Sequence, residues 1–210
     1  TTKQNDKMKT LQVKLTGVRP LVMSNPQTVQ LSNAYAVTSR RVGNEIKGAR
    51  KKQDEDKMAR LETEMARNDW QASAYWNDES KTFFLPDTVI IACIRAGATA
   101  AKRGRDIDRA CIVNEPDVNI GGITKHKSLD AYWQDIAFRL SGPAKIPPKT
   151  GALIWKTRCM MPTGWTLEFS LDFEESMIEK NTVIEAIKTA GVMCGIGGWR
   201  PKFGRFLVEI

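Results

Sequence analysis

The residues with the clearest chemical potential lie together near the C-terminus, in GIGGWRPKFGRFLVEI, Gly195 to Ile210. Arg200, Lys202 and Arg205 are cationic and meet no acidic residue until Glu209. Gly195, Gly197, Gly198 and Gly204 surround them, and glycine admits the positive φ and close backbone approach that other residues resist. Trp199 adds a flat indole that could stack on a base, an interaction worth about 1–3 kcal/mol. These residue types suit an electrostatic grip on a phosphate backbone. They equally suit a tight turn with the indole packed over it. Two further cation groups occur: residues 95–105 hold Arg95, Lys102, Arg103 and Arg105 with no acid between them, and Lys125 and Lys127 stand on either side of His126. For the first group the alternative is a solvated helix end, with cations near the negative pole of the dipole.

Other chemistries are poorly supplied. A dinucleotide fingerprint would need glycine where Arg200 stands and a strand, not a helix, before it. No phosphate-loop motif of the GxxxxGK[ST] type occurs. His126 is the sole histidine and reads as ordinary surface, so a histidine-based nucleophile or acid–base pair is hard to assemble. Asp106 and Asp108 share one side of an extended chain and could hold a metal ion, but the adjacent arginines favour salt bridges. The expectation is a protein with no catalytic residues, no metal site and no cofactor.

Bulk properties agree with a polyanion as partner. The chain has 210 residues, 41% hydrophobic and 27% charged, as in ordinary globular proteins, and a formal net charge of +8. The charge is unevenly spread. Residues 36–70 carry nine Lys/Arg against seven Asp/Glu, whereas residues 120–160 carry seven against two. The excess therefore lies outside the most heavily charged segment, and the Glu/Lys/Arg helix at 50–67 reads as a solvated face. Cys93, Cys111, Cys159 and Cys194 form no CxxC pair, which predicts reduced thiols in a cytoplasmic protein. No apolar run reaches membrane-spanning length, and TTKQNDKMKT lacks the apolar core of a secretory leader.

The elements that must position these residues follow from periodicity. Leu11, Val13 and Leu15 alternate with polar residues as a half-buried strand, interrupted by Gly17. Residues 37–69 read as helical, with Met58, Leu61 and Met65 on a narrow stripe. SAYWNDESKTFF suggests a hairpin turning at Asn77-Asp78. PDTVIIACIRAGATAAKRG suggests an apolar helix ended by Gly104. Residues 105–150, with Gly121, Gly122, Gly142, Pro143 and the Pro147-Pro148 pair, read as an irregular insertion with short strands. GALIWKTRCMM and WTLEFSLDF read as two strands joined by PTG. The second buries Trp165, Leu167, Phe169, Leu171 and Phe173 and exposes Thr166, Glu168, Ser170 and Asp172. A helix follows, its capping box set by Thr182 and Glu185 and its buried stripe by Val183, Ile184, Ile187 and Ala190. Phe206, Val208 and Ile210 alternate in a last strand.

In order, the elements give strand, helix, strand, strand, helix, strand, the split pattern of an α+β ferredoxin-like or RRM-like βαββαβ core. The expected organisation is one RRM-like domain over 1–210 with two long insertions, about 23–85 (helix plus hairpin) and 104–150. The exposed strand face lacks the aromatics with which an RRM stacks bases, so loops and helix ends would hold any bound strand.

The stretch GIGGWRPKFGRFLV is similar to the glycine-rich loop of the RAMP superfamily, the RNA-binding and RNA-processing subunits of CRISPR effector complexes. LPDTVIIACIRAGA likewise resembles that family's first core helix. Similar C-terminal halves also occur in phage and prophage proteins. The resemblance covers the core, about half the chain, and implies RNA binding together with side-by-side self-association along a strand. The combined expectation is a non-enzymatic binder of single-stranded RNA or DNA. The alternative is a phage protein-interaction module that mimics or blocks a host CRISPR subunit.

Overall fold

The computed structural model describes residues 8–145 and 153–210. Pro147-Pro148, and Gly151-Ala152 at the start of the expected strand, lie outside the described residues. In chain order the strands and helices are β1 (Met8–Gly17), β2 (Leu21–Val22), α1 (Ala34–Lys51), α2 (Glu55–Ser73), β3 (Trp76–Asn77) and β4 (Thr82–Pro86). There follow α3 (Asp87–Ala98), α4 (Gly104–Ala110), β5 (Cys111–Val113), β6 (Asp117–Gly121), α5 (Leu129–Gln134) and β7 (Arg139–Lys145). The chain ends with β8 (Leu153–Met161), β9 (Thr166–Glu174), α6 (Lys180–Thr189) and β10 (Phe206–Glu209). Two compact units result: residues 1–22, 76–125 and 161–210 form one, and residues 23–75 and 126–160 form the other.

The first unit is built on a sheet of order β10-β1-β9-β6-β4-β3, with β5 also paired to β9. β1 and β9 run antiparallel and register Leu11 opposite Leu171, Val13 opposite Phe169 and Leu15 opposite Leu167. All six side chains are buried, so the period-2 pattern places a continuous apolar seam on one face. β9 lies between β1 and β6 and is antiparallel to both, which makes β1 and β6 parallel and separated by one strand. That is the split arrangement of an α+β ferredoxin-like fold. The helices α3 and α6 pack backbone to backbone: a Cβ on Gly97 would sit 2.1 Å from the carbonyl oxygen of Ala186. On the opposite face, the β1–β9 pair is polar and internally bonded. Thr10 donates to Asp172 (2.6 Å), the Ser170 hydroxyl donates to Gln12 (3.3 Å), and Lys14 lies 3.9 Å from both Glu168 and Glu209.

Several expectations are corrected here. The second core strand is supplied by β5 and β6, from the stretch read as an irregular insertion; β8 pairs with β7, not with β9. The segments 76–86 and 111–121 belong to the core sheet, whereas 23–75 and 126–160 form the second unit, so the insertion bounds of 23–85 and 104–150 are displaced. The apolar helix stops at Ala98, and Gly104 opens α4 instead of ending α3. The expected capping box is absent: α6 begins at Lys180, its cap is Glu179, and no side chain caps it. Its stripe buries Val183, Ala186, Ile187 and Ala190, with Ile184 only half-buried.

In the second unit the expected long helix is two helices. Gln53 takes a φ of 55° at the break, and the Asp54 carboxylate accepts from the Lys57 N–H (3.0 Å) to start α2. The stripe of Met58, Leu61 and Met65 then packs on Val42, Ile46 and Ala49 of α1. That contact explains its narrowness, because a helical hairpin needs only one seam. Trp70 donates from its indole to the Phe138 carbonyl (2.7 Å), and the Cys159 N–H donates to Ser73 (2.8 Å), tying α2 to the β7–β8 hairpin.

Candidate nucleic-acid interface

The glycine-rich stretch from Gly195 to Arg205 folds as a compact turn in the first unit. After α6, residues Ala190–Cys194 form a π-helical turn, and the Gly195 N–H closes it on the Ala190 carbonyl (2.8 Å). Such turns are frequent at functional sites. Gly195, Gly197 and Gly204 have φ of 72°, 83° and 72°. Space is as tight as conformation: a Cβ on Gly204 would meet the Ile196 carbonyl oxygen at 1.8 Å, and one on Gly197 the Val22 carbonyl oxygen at 2.5 Å. The N–H groups of Ile196, Gly198 and Gly204 donate to Gly204, Val22 and Pro20 carbonyls. The glycines thus build the turn from within, spending these donors on its own carbonyls, and the side chains they expose carry the surface chemistry.

Those side chains border an open groove of about 600 Å³ lined by Ala96 of α3 together with Met193, Cys194, Gly197, Trp199 and Arg200. Arg200 and Lys202 are exposed, and neither makes an ion pair among the described residues. Trp199 is half-buried, with a φ of 54° and its ring centroid 6.2 Å from that of Phe203. A left-handed tryptophan is strained; its placement at the rim follows from the turn. Lys202 lies over the Phe203 ring at 5.7 Å, and the Arg205 guanidinium donates to the Pro201 carbonyl (3.0 Å). Beneath the groove the Cys93 thiol donates to the Gly195 carbonyl (3.4 Å). Burial pushes this thiol up to about 12, opposed by the nearby Arg200 charge.

The Arg95–Arg105 group lies at the corner where α3 gives way to α4, and it divides in two. Arg95 pairs with Asp108 (3.4 Å) and Arg103 with Asp106 (2.7 Å); Arg103 also donates to the Met177 carbonyl (3.3 Å). Both aspartates considered for a metal are therefore engaged by arginines. Lys102 and Arg105 are exposed and without ion pairs among the described residues. Because Ala96 lines the groove and Lys102 lies just past the end of α3, one helix links the turn to this corner. Lys125 in the first unit and Lys127 in the second are both exposed. Nothing in the sequence flagged Cys194 and Met193 as groove lining.

His126 corrects an expectation. It is only 27% exposed at its side chain, its Nε2 lies 3.0 Å from an Asp135 carboxylate oxygen, and its ring is edge-on to Tyr132 and Phe138 at 4.7 and 5.6 Å. It is a packed residue of the second unit, not ordinary surface. The Asp135 carboxyl is held low, first by the Ala137 N–H and then by His126.

No protein-family model and no curated protein matches the chain. Among solved structures it is similar to a chain in the cryo-electron-microscopy structure of the type III-B Cmr-beta bound to cognate target RNA, with a TM-score of 0.52 and 8% identity. The match covers 97% of this chain and 60% of that one. At this identity the likeness is one of fold alone. No helix among the described residues is long and apolar enough to cross a membrane.

Proposed function

We propose that the chain is a non-enzymatic, single-stranded nucleic-acid-binding protein that holds the phosphate backbone at the groove between α3 and the glycine-rich turn. The observation that carries this reading is the placement of Arg200 and Lys202. Both are exposed on the turn, neither makes an ion pair among the described residues, and a half-buried indole lies beside them. Lys102 and Arg105 extend the positive surface beyond the end of α3. Arg95 and Arg103, already neutralised by Asp108 and Asp106, position this corner and contribute little to phosphate binding. On the outer face of the β1–β9 pair the polar side chains are bonded to one another, so little base readout is expected there and sequence preference is weak. The fold neighbour contains a bound target RNA in its complex, which supports RNA as a ligand. This chain spans 60% of that neighbour's length. Copies bind side by side on a long strand.

The test is fluorescence anisotropy with mixed-sequence RNA and DNA strands over a salt series. Saturable binding that weakens steeply with salt supports the reading, because each neutralised phosphate contributes about 0.7 to the log–log slope for single strands. Affinity unchanged between low and moderate salt would overturn it. Labelled strands incubated with the protein and magnesium or manganese remain intact; cleavage that is lost in Asp106→Ala or Asp108→Ala would overturn the non-enzymatic assignment. A stepped series of shifted bands on lengthening strands reports the side-by-side arrangement, and a single band at every length excludes it.

A further inference from the structure

The second unit contains a cavity of about 300 Å³ whose lining combines three cations with one carboxylate. The cations are Arg40 from α1 and Lys156 and Arg158 from β8; the carboxylate is Asp69 from α2. β8 alternates, so Lys156 and Arg158 emerge on the same side of the hairpin. Asp69 is 7% exposed at its side chain and receives a 2.6 Å bond from the Lys156 ammonium. Arg158 donates to the Ser24 hydroxyl at 2.9 Å. The Arg40 guanidinium donates to the Leu31 and Ala36 carbonyls. Leu31, 68% exposed, supplies an apolar wall.

Charge decides what this cavity accepts. The lining carries three cations against one carboxylate, a net of about two positive charges around a small volume. Burial lowers the basicity of Arg158 and raises that of Asp69, with Lys156 and Arg158 opposing the latter. A partly dehydrated guanidinium gains more from an anion than an exposed one does. A phosphodiester carries a single negative charge, whereas a phosphomonoester carries about −1.5 to −2 at neutral pH. A volume of about 300 Å³ lies at the small end of the range for ligand sites, which suits one phosphate with a small organic group against Leu31. We propose that this cavity is a phosphomonoester site, taking either a free mononucleotide-sized phosphate ester or the terminal phosphate of a nucleic-acid strand. It is built from residues of the second unit alone and stands independently of the groove at the glycine-rich turn.

Isothermal titration calorimetry on the full chain tests this with adenosine monophosphate and adenosine as probes. A pair of hexanucleotides, identical except for a terminal phosphate, separates the two sources. The expected result is saturable binding of the monophosphate at least tenfold tighter than adenosine, or a terminal-phosphate preference of that size in the hexanucleotide pair. Arg40→Gln and Arg158→Gln each reduce the preference at least tenfold, while Arg200→Ala with Lys202→Ala leaves it unchanged. Arg158→Gln removes the bond to Ser24 from a half-buried side chain and risks misfolding. Arg40 is exposed, so Arg40→Gln with an unchanged circular dichroism spectrum keeps the test decisive. Equal binding of phosphorylated and unphosphorylated probes overturns the proposal, as does full phosphate preference retained in folded Arg40→Gln.

Discussion

Replacing Arg200 and Lys202 by alanine together isolates the turn's electrostatic role. Each removed phosphate contact lowers the slope of log affinity against log salt by about 0.7, so the pair lowers it by about 1.4. Extrapolated from equal affinities near 1 M salt, the deficit at 0.1 M is about 1.4 log units, roughly 25-fold or about 1.9 kcal/mol. The two side chains are exposed and make no ion pair among the described residues, so folding stability should change by less than about 0.5 kcal/mol. For a chain of this size that is about 1–2 °C in Tm. Lys51→Ala with Lys52→Ala, at the exposed end of α1, removes the same net charge elsewhere. Anisotropy titrations at five or so salt concentrations on wild type and both pairs give slopes and affinities directly. Equal losses in the two pairs would show that the basic charge acts only in bulk, and a deficit independent of salt would show that the turn's role is not electrostatic.

Four further outcomes follow from individual residues. Cys194 is half-buried in the groove while Cys93, Cys111 and Cys159 are buried; burial also pushes Cys111 up to about 11. Iodoacetamide at pH 8 should therefore label only Cys194 in the native chain, and saturating RNA should protect it; mass spectrometry showing full labelling in the complex would remove the groove from the interface. Gly197→Val should cost both affinity and more than about 2 kcal/mol of stability, since a branched side chain at positive φ would also strike the Val22 carbonyl; denaturant unfolding measures this. Trp199→Ala separates stacking from packing: affinity lost with Tm retained assigns the indole to the ligand, and a large Tm loss assigns it to the turn. Asp135 is held below the ordinary carboxylate range, so its contribution is present above about pH 4 and is lost as pH falls through its folded-state value; Asp135→Asn should destabilise at pH 6 and converge with wild type toward pH 2.

The core strands that alternate cleanly were legible because burial on one face writes period 2 into the chain. β1 and β9 were read with their buried faces correct for this reason. The second core strand failed that test for a physical cause. It is split into β5 and β6, of three and five residues, too short for alternation to stand out from the glycines and prolines around it. β8 is longer and rich in apolar residues, and it took that place by strength of pattern alone. Pairing is a nonlocal property; β8 finds its partner in β7, whose Gly142 and Pro143 disguise a strand. The break between α1 and α2 was also hidden, because Gln53 and Asp54 look like any other polar helix residues until a positive φ is required.

At the candidate site, cation spacing located the right segments but could not rank their members. Arg95 and Arg103 look in sequence like Lys102 and Arg105. The difference arises when the α3–α4 corner brings Asp108 and Asp106 back onto the first pair, a contact separated by thirteen residues for Arg95 and made locally for Arg103. The cavity of the second unit was invisible for the same reason. Asp69 reads as one acid in a nearly balanced helix, yet folding buries it and places Lys156 beside it from 87 residues away. A cation is available to a phosphate only if the fold has not already neutralised it, and that is decided by tertiary proximity. Lys102→Ala with Arg105→Ala should therefore lower the salt slope by about 1.4, as the turn pair does. Arg95→Ala with Arg103→Ala should lower it by much less while reducing stability, since it strands Asp106 and Asp108 at the corner. Equal slopes from both corner pairs would show that ion pairing in the free protein does not govern which cations meet the strand.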